Sequence, residues 1–269
     1  KSAKFYAALA EDAVKAPVIK GAEDFISETE IAIEAEDDVT VYYTVDGTEP
    51  TTASTVYTAP FTVKETTTVK AVAYRGEKAS FVTSATFTKA TQLTCAEAAV
   101  EAMKVASNNA TTNITYVVYG YVTELDGGLS SGQQKFWVSD TKGGENTFYS
   151  YFCNVPRALV VGDYIQMFGK LTKYNTTPQM KNGDITILPA PVAKFNVTAT
   201  AENGTVTGAG EYEENAEATL TATANEGYEF TCWTSGEDTV STANPYTFAV
   251  TANVALVANF KEVVVEPTT

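Results

Sequence analysis

The feature that most constrains this chain is alternation. From residue 16 to residue 262, stretches rich in Thr, Val, Ile and Tyr repeat with a period of two and are cut by Gly, Pro, Asp or Asn. That period sends successive side chains to opposite faces of a pleated strand, so these stretches build half-buried sheets and not helices. Segments 31–35 and 39–44 read as strands, Asp46-Gly47 marks a tight turn, and 66–74 and 84–88 continue the series. Short strands at this spacing predict a sandwich. Helical spacing occurs at Phe5, Ala8, Leu9 and Ala13, ended by Pro17, and again over 98–105. Thr94-Cys95-Ala96-Glu97 is a capping box for the second helix.

Five further strands are predicted after that helix, over 116–125, 134–140, 147–154, 163–174 and 184–188. Loops with Asp126-Gly127-Gly128, Lys142-Gly143-Gly144 and Pro178 separate them. Pro189-Ala190-Pro191 reads as a stiff linker, and alternating strands resume at 194–200, 218–224 and 255–260. The expected division is a helix or linker over 1–15, a sandwich over 16–90, a barrel with a leading helix over 91–190, a small module over 191–262 and a tail over 263–269. The chain starts without a signal peptide and ends on Glu266-Pro267-Thr268-Thr269, as a processed or truncated piece would.

Three resemblances sharpen this. Tyr43-Thr44-Val45-Asp46-Gly47-Thr48-Glu49-Pro50, followed by Tyr57-Thr58-Ala59-Pro60, resembles the chitobiase/β-hexosaminidase C-terminal type of fibronectin III-like module. That implies an immunoglobulin-like sandwich without catalytic residues. Segments 116–122, 136–140 and 162–171 resemble the v-x-G-x-V, f-x-v-x-D and G-D-x-v-x-v-x-G-x-l elements of an OB-fold, in the helix-led version similar to modules of Bacteroidetes surface proteins. Gly120 and Gly169 are then expected where the barrel wall bends. Gly227-Tyr228-Glu229-Phe230-Thr231-Cys232-Trp233 with Ala258-Asn259-Phe260 resembles the divergent internalin B-repeat family, which implies a small, mostly β, grasp-like module. The fold class expected is therefore mainly β throughout.

The chain holds no histidine, so it has no imidazole base, no His metal ligand and no Ser-His-Asp or Cys-His pair. Three cysteines without C-x-x-C exclude zinc ribbons and dithiol redox chemistry. No catalytic residue, metal site or cofactor is expected. No apolar run reaches the ~20 residues of a membrane helix. The formal net charge is −15, against a binder that works by bulk attraction to nucleic acid or anionic membrane. Segment 16–90 holds 6 basic and 12 acidic residues, 191–262 holds 2 and 10, and 91–190 holds 7 and 8. The acidic runs 34–38 and 211–214 lack calcium-loop spacing and read as solvated faces, and Asp46 as a residue capping its own turn. The barrel segment alone is nearly neutral.

The best binding surface expected is the outer face of that barrel. With Val118, Gly120 and Val122 inside, Tyr119 and Tyr121 face out; with Phe136 and Val138 inside, Lys135, Trp137 and Ser139 face out. On the third strand either Phe148 and Phe152 or Tyr149 and Tyr151 face out, and tyrosine hydroxyls tolerate water better. Tyr119, Tyr121, Lys135, Trp137, Tyr149 and Tyr151 form the predicted ligand platform, with Trp137 central between Tyr121 and a tyrosine of the third strand. Asp238-Thr239-Val240 matches a short acceptor pattern resembling that of Bacteroidetes O-glycosylation, which marks Thr239 for modification. Cys95, Cys153 and Cys232 are expected as free, buried thiols, with Cys232 and Phe230 sharing a core-facing side. These readings point to a monomeric, non-catalytic surface or secreted protein that adheres through a glycan or surface-protein partner. Oligonucleotide binding and a purely structural spacer are the alternatives.

Overall fold

The computed structural model describes residues 13–264. The chain divides into two compact units, Lys1–Pro189 and Ala190–Thr269. The helix expected over 1–15 falls outside the described residues, apart from 13–15, which are irregular. No helix among the described residues is long and apolar enough to cross a membrane.

The first unit holds two cores. One is a sandwich: a three-stranded sheet (Val18–Lys20, Thr29–Glu34, Phe61–Val63) faces a larger sheet whose central strands are Thr40–Thr44, Thr67–Arg75 and Thr83–Lys89. Strict alternation along Thr29–Glu34 buries Thr29, Ile31 and Ile33. Ile31, Val69, Ala71 and Phe87 are among the residues that close the core from both sheets. The strands expected in this segment are present. Asp46 accepts from the Thr48 amide at 3.0 Å and lies in the turn where Gly47 has φ +78°, so its role is local. Glu36 and Asp38 of the acidic run both meet Arg75, and Glu34 meets Lys20, so this run is ion-paired.

The second core belongs to a closed ring of strands. Tyr116–Leu125 pairs antiparallel with Gln133–Ser139, which pairs antiparallel with Phe148–Asn154. Phe148–Asn154 touches Asp184–Leu188 in parallel through Asn154 and Asp184. Asp184–Leu188 then pairs with Tyr164–Gly169, which returns to Tyr116–Leu125. Val118, Val122, Phe136, Val138, Phe148, Ile165 and Met167 fill the interior. The Cys95–Met103 helix contributes Cys95, Ala98 and Ala102 to the same core. Its first amides are satisfied by side chains: Thr94 Oγ1 accepts from Glu97, while Asp140 accepts from Cys95 at 2.5 Å and from Ala96 at 3.2 Å. Gly120 is required by this docking, because a Cβ there would lie 2.5 Å from Cys95 Sγ and 2.9 Å from the Ser139 carbonyl.

Three expectations are corrected in this barrel. The strand predicted over 163–174 is two strands, Tyr164–Gly169 and Leu171–Tyr174. The wall ends at Gly169, where a Cβ would come within 3.0 Å of Gly183 Cα and of Met180 Sδ, and the chain peels away. It returns as Thr177–Lys181, a strand where a loop was expected. Pro178 is tolerated because pairing with Phe148–Asn154 starts only at Gln179. Ser139, expected to face solvent, is buried: Thr141 donates to its Oγ and the turn at Gly144 packs over it.

The second unit is entirely β among its described residues. A five-stranded sheet runs Gly210–Glu213, Lys194–Ala201, Val254–Glu262, Tyr228–Ser235, Asp238–Ser241, with a parallel pair at Lys194–Ala201 and Val254–Glu262. A three-stranded sheet of Gly204–Thr207, Glu217–Ala224 and Tyr246–Ala249 completes it. Trp233 is fully buried with Leu220, Val197 and Leu256. A bulge between Phe230 and Cys232 shifts the alternation by one, so Trp233 takes the core position and Cys232 is left half-buried. The buried Cys232 expected from simple alternation is thus corrected.

Candidate functional site

The outer barrel face is where aromatic side chains collect. They form two groups. Tyr119 and Tyr121 lie beside Tyr164, at ring-centroid distances of 6.4 and 4.8 Å. Gln166 donates to the Tyr119 hydroxyl at 2.7 Å, which fixes that ring. Burial and the neighbouring Tyr121 push the Tyr164 hydroxyl pKa up. The second group runs from Trp137 to Tyr149 at 4.9 Å, on to Tyr151 at 6.3 Å, and to Phe152 at 4.7 Å from Tyr151.

A bulge keeps the groups apart. Val122 pairs with Val138, but the next pair is Glu124 with Trp137, so one residue of the first strand is extra. Trp137 therefore sits opposite Glu124, and Tyr121 sits opposite Ser139. The single platform with Trp137 beside Tyr121 is corrected to two clusters. Trp137 does pair with Tyr149, as expected.

Tyr149 is 8% exposed, so it forms the back of the site and not an open stacking surface. Its hydroxyl donates to Asp126, which also pairs with Lys135 at 3.2 Å. The Tyr149 bond and then Lys135 hold the Asp126 carboxyl below its ordinary pKa. Burial and then the Asp126 charge push the Tyr149 phenol up. This trio ties the start of the 126–132 loop to the platform. Lys135 also lies 5.7 Å over the Phe152 ring. Phe152 has φ +52°, a left-handed conformation that a bulky residue adopts only when its surroundings impose it. It falls where the Gln133–Ser139 and Phe148–Asn154 pairing skips a residue, and this places Phe152 beside Tyr151 on the outer side.

A cleft of ≈ 450 Å³ opens next to this second cluster. Tyr149 and Tyr151 line it from one strand, and Thr177, Gln179 and Lys181 from the next. Tyr174, 55% exposed, and Asn109 complete it. Asn108 and Asn175 exchange hydrogen bonds at 3.0 and 2.8 Å, and the Asn109 amide donates to the Lys173 carbonyl, so the far wall is pinned. Among the described residues no carboxylate lines this cleft. Gln179 escapes sequence reasoning because the Pro178 segment reads as a loop, and Tyr174 because it reads as the end of the 163–174 strand with no partner beside it; Asn109 carries no signal. The signal was there in Thr177-x-Gln179-x-Lys181, polar residues alternating with the buried Met180. Thr239 lies apart from all this, exposed on the Asp238–Ser241 edge strand of the second unit.

The fold is a chain of small β modules, and the aromatic cleft lies on one of them. In particular, residues 31–87 match the Fn3 associated family, and residues 195–264 match the divergent InlB B-repeat domain. Both are families of non-catalytic modules typical of surface or extracellular proteins, and they support a modular surface-protein type. Neither match covers the barrel that carries the cleft. No curated protein matches the chain.

Proposed function

We propose that this chain is a non-catalytic, glycan-binding part of an exported surface or secreted protein, with the barrel cleft as its binding site. The observation that carries this reading is the cleft itself: tyrosines on two walls, an amide on the floor and no acidic pair to act as acid and base. Aromatic faces stack on the apolar faces of sugars, and a cleft of this size accommodates one or two sugar rings. The closed ring of pairings supports assigning 91–190 to the OB-fold, in a helix-led form similar to modules of Bacteroidetes surface proteins. The Fn3 associated match supports the chitobiase C-terminal type for 16–90. The exposed edge position of Thr239 supports its proposed modification; an unmodified intact mass from the native host would remove it.

The test is a glycan array on the whole chain, followed by titration of any hit with Tyr151→Ala and Tyr174→Ala. Either variant is expected to weaken binding about tenfold or more. Undiminished binding by both variants moves the site elsewhere. Binding of single-stranded oligonucleotide that falls steeply with salt, with no glycan bound, replaces this reading with the oligonucleotide one.

A further inference from the structure

We infer that the cleft is built for an acidic sugar, with the sugar carboxylate at Lys181 and a ring hydroxyl at Gln179. This rests on the glycan-binding reading and narrows it. Three observations converge.

Gln179 is 3% exposed and lines the cleft, yet its side-chain amide has no hydrogen-bond partner among the described residues. Its polar atoms are not among the fully buried unpaired ones, so the amide opens into the cleft and is free to bond there. Gln134, the other buried glutamine, shows the usual state: its amide accepts from Leu159 at 3.0 Å and donates to Gly127. An amide offers one acceptor and two donors, which matches the hydroxyls of a sugar ring.

Lys181 lies two residues along the same strand, on the same side as Gln179. Its ammonium lies 5.6 Å from the Tyr151 ring centroid and has no carboxylate partner among the described residues. Among the barrel's cations, Lys104 pairs with Glu101, Lys135 with Asp126 and Arg157 with Asp163, whereas Lys181 is the unpaired one that lines the cleft. Lys181 keeps its charge available at the mouth of a cleft free of acidic residues. Lys173, on the adjacent strand, is turned to the Met103 carbonyl and does not line the cleft.

Tyr151 and Tyr174 supply the ring faces. One cation beside two aromatic rings suits one carboxylate on one sugar. A nucleic-acid strand needs a basic track along several phosphates, and among the described residues one cation lines this cleft.

The experiment is calorimetric titration of the whole chain with hexamers of galacturonate, mannuronate and the hyaluronan repeat, each against its carboxyl-reduced, neutral counterpart. At least one acidic hexamer is expected to bind about tenfold tighter than its reduced form, and that ratio should shrink at high salt. Lys181→Met should bring the ratio to about one, and Lys181→Arg should restore it. Gln179→Leu should weaken both forms about fivefold or more. Equal binding of acidic and neutral forms, unaffected by Lys181→Met but abolished by Tyr151→Ala, overturns the acidic preference and leaves glycan binding standing. Binding of no hexamer, or of oligothymidylate in their place, overturns both.

Discussion

Asp163 shows how one side chain sets a turn and ties stability to pH. Its carboxylate takes both Arg157 guanidinium nitrogens at 3.0 Å and the Val160 amide at 2.9 Å, and its side chain is only 11% exposed. The Arg157 bonds hold its pKa below the ordinary aspartate value. A depressed pKa means the stabilisation is complete above the unfolded value of ~3.9 and is lost as pH falls through the folded value. Asp163→Asn should cost about 1–2 kcal/mol at neutral pH, and the difference from the parent should narrow in acid. Urea midpoints at neutral and acid pH measure this; a constant difference would show the carboxylate charge to be irrelevant. The thiols give a second check at this scale. Burial pushes the Cys153 thiol up to about 11 and the Cys95 thiol higher still, while Cys232 is only half-buried. A maleimide at mildly alkaline pH should label Cys232 quickly and the other two only after unfolding. Mass spectrometry counts the adducts, and fast labelling of Cys95 in the native protein contradicts its burial between the helix and the barrel wall.

Strands and the helix were largely legible because alternation and caps are local signals. The strand Tyr116–Leu125 and the strand Asp184–Leu188 have the predicted limits, and Thr94 with Glu97 caps the helix as their spacing requires. What alternation does not carry is the bulge. An extra residue costs a strand little and leaves its composition unchanged, yet it moves every later side chain by one position. One bulge parts Trp137 from Tyr121, a second sets Phe152 beside Tyr151, and a third exchanges Cys232 for Trp233 in the core. The second site wall was hidden for another reason. Pro178 and Asn175 are turn residues, and pairing with Leu171–Tyr174 on one side and with Tyr149, Ser150 and Tyr151 on the other makes that segment a strand. Gly120, read as a bend, proves to be a contact between elements. Gly120→Ala should destabilise the barrel by about 1–3 kcal/mol, since the new methyl meets Cys95 Sγ and the Ser139 carbonyl. Cys95→Ala removes one of the two obstacles, so the double variant should lose less than the two single losses added together. Thermal denaturation of the four proteins decides it, and strict additivity would mean the helix does not lie over Gly120.

At the scale of the molecule, the joint between sandwich and barrel differs in kind from the joint before the last module. Ala90, the one residue between strands Thr83–Lys89 and Thr91–Leu93, is buried, and its amide donates to the Phe25 carbonyl at 2.7 Å. Thr115, itself buried at the foot of the barrel, donates to Asp24 of the sandwich at 2.5 Å. A protease must draw several residues of extended chain into its site, and this joint has none to offer without breaking those contacts. The other joint is the reverse: residues 189–193 are exposed coil, and backbone bonding resumes only at Ala193, whose carbonyl accepts from the Glu214 amide. The expected division has a boundary at both places, because Lys89-Ala90-Thr91 and Pro189-Ala190-Pro191 differ in composition but carry no sign of what they touch. Brief subtilisin digestion should therefore cut near Val192 and release two stable pieces, one ending near residue 190 and one beginning there. The larger piece should keep sandwich and barrel together and unfold in a single transition, because loss of either side frees Asp24, Thr115 and Ala90 at once. Release of separate fragments 16–90 and 91–190, or two resolved transitions in the larger piece, would show that these contacts do not couple the two cores.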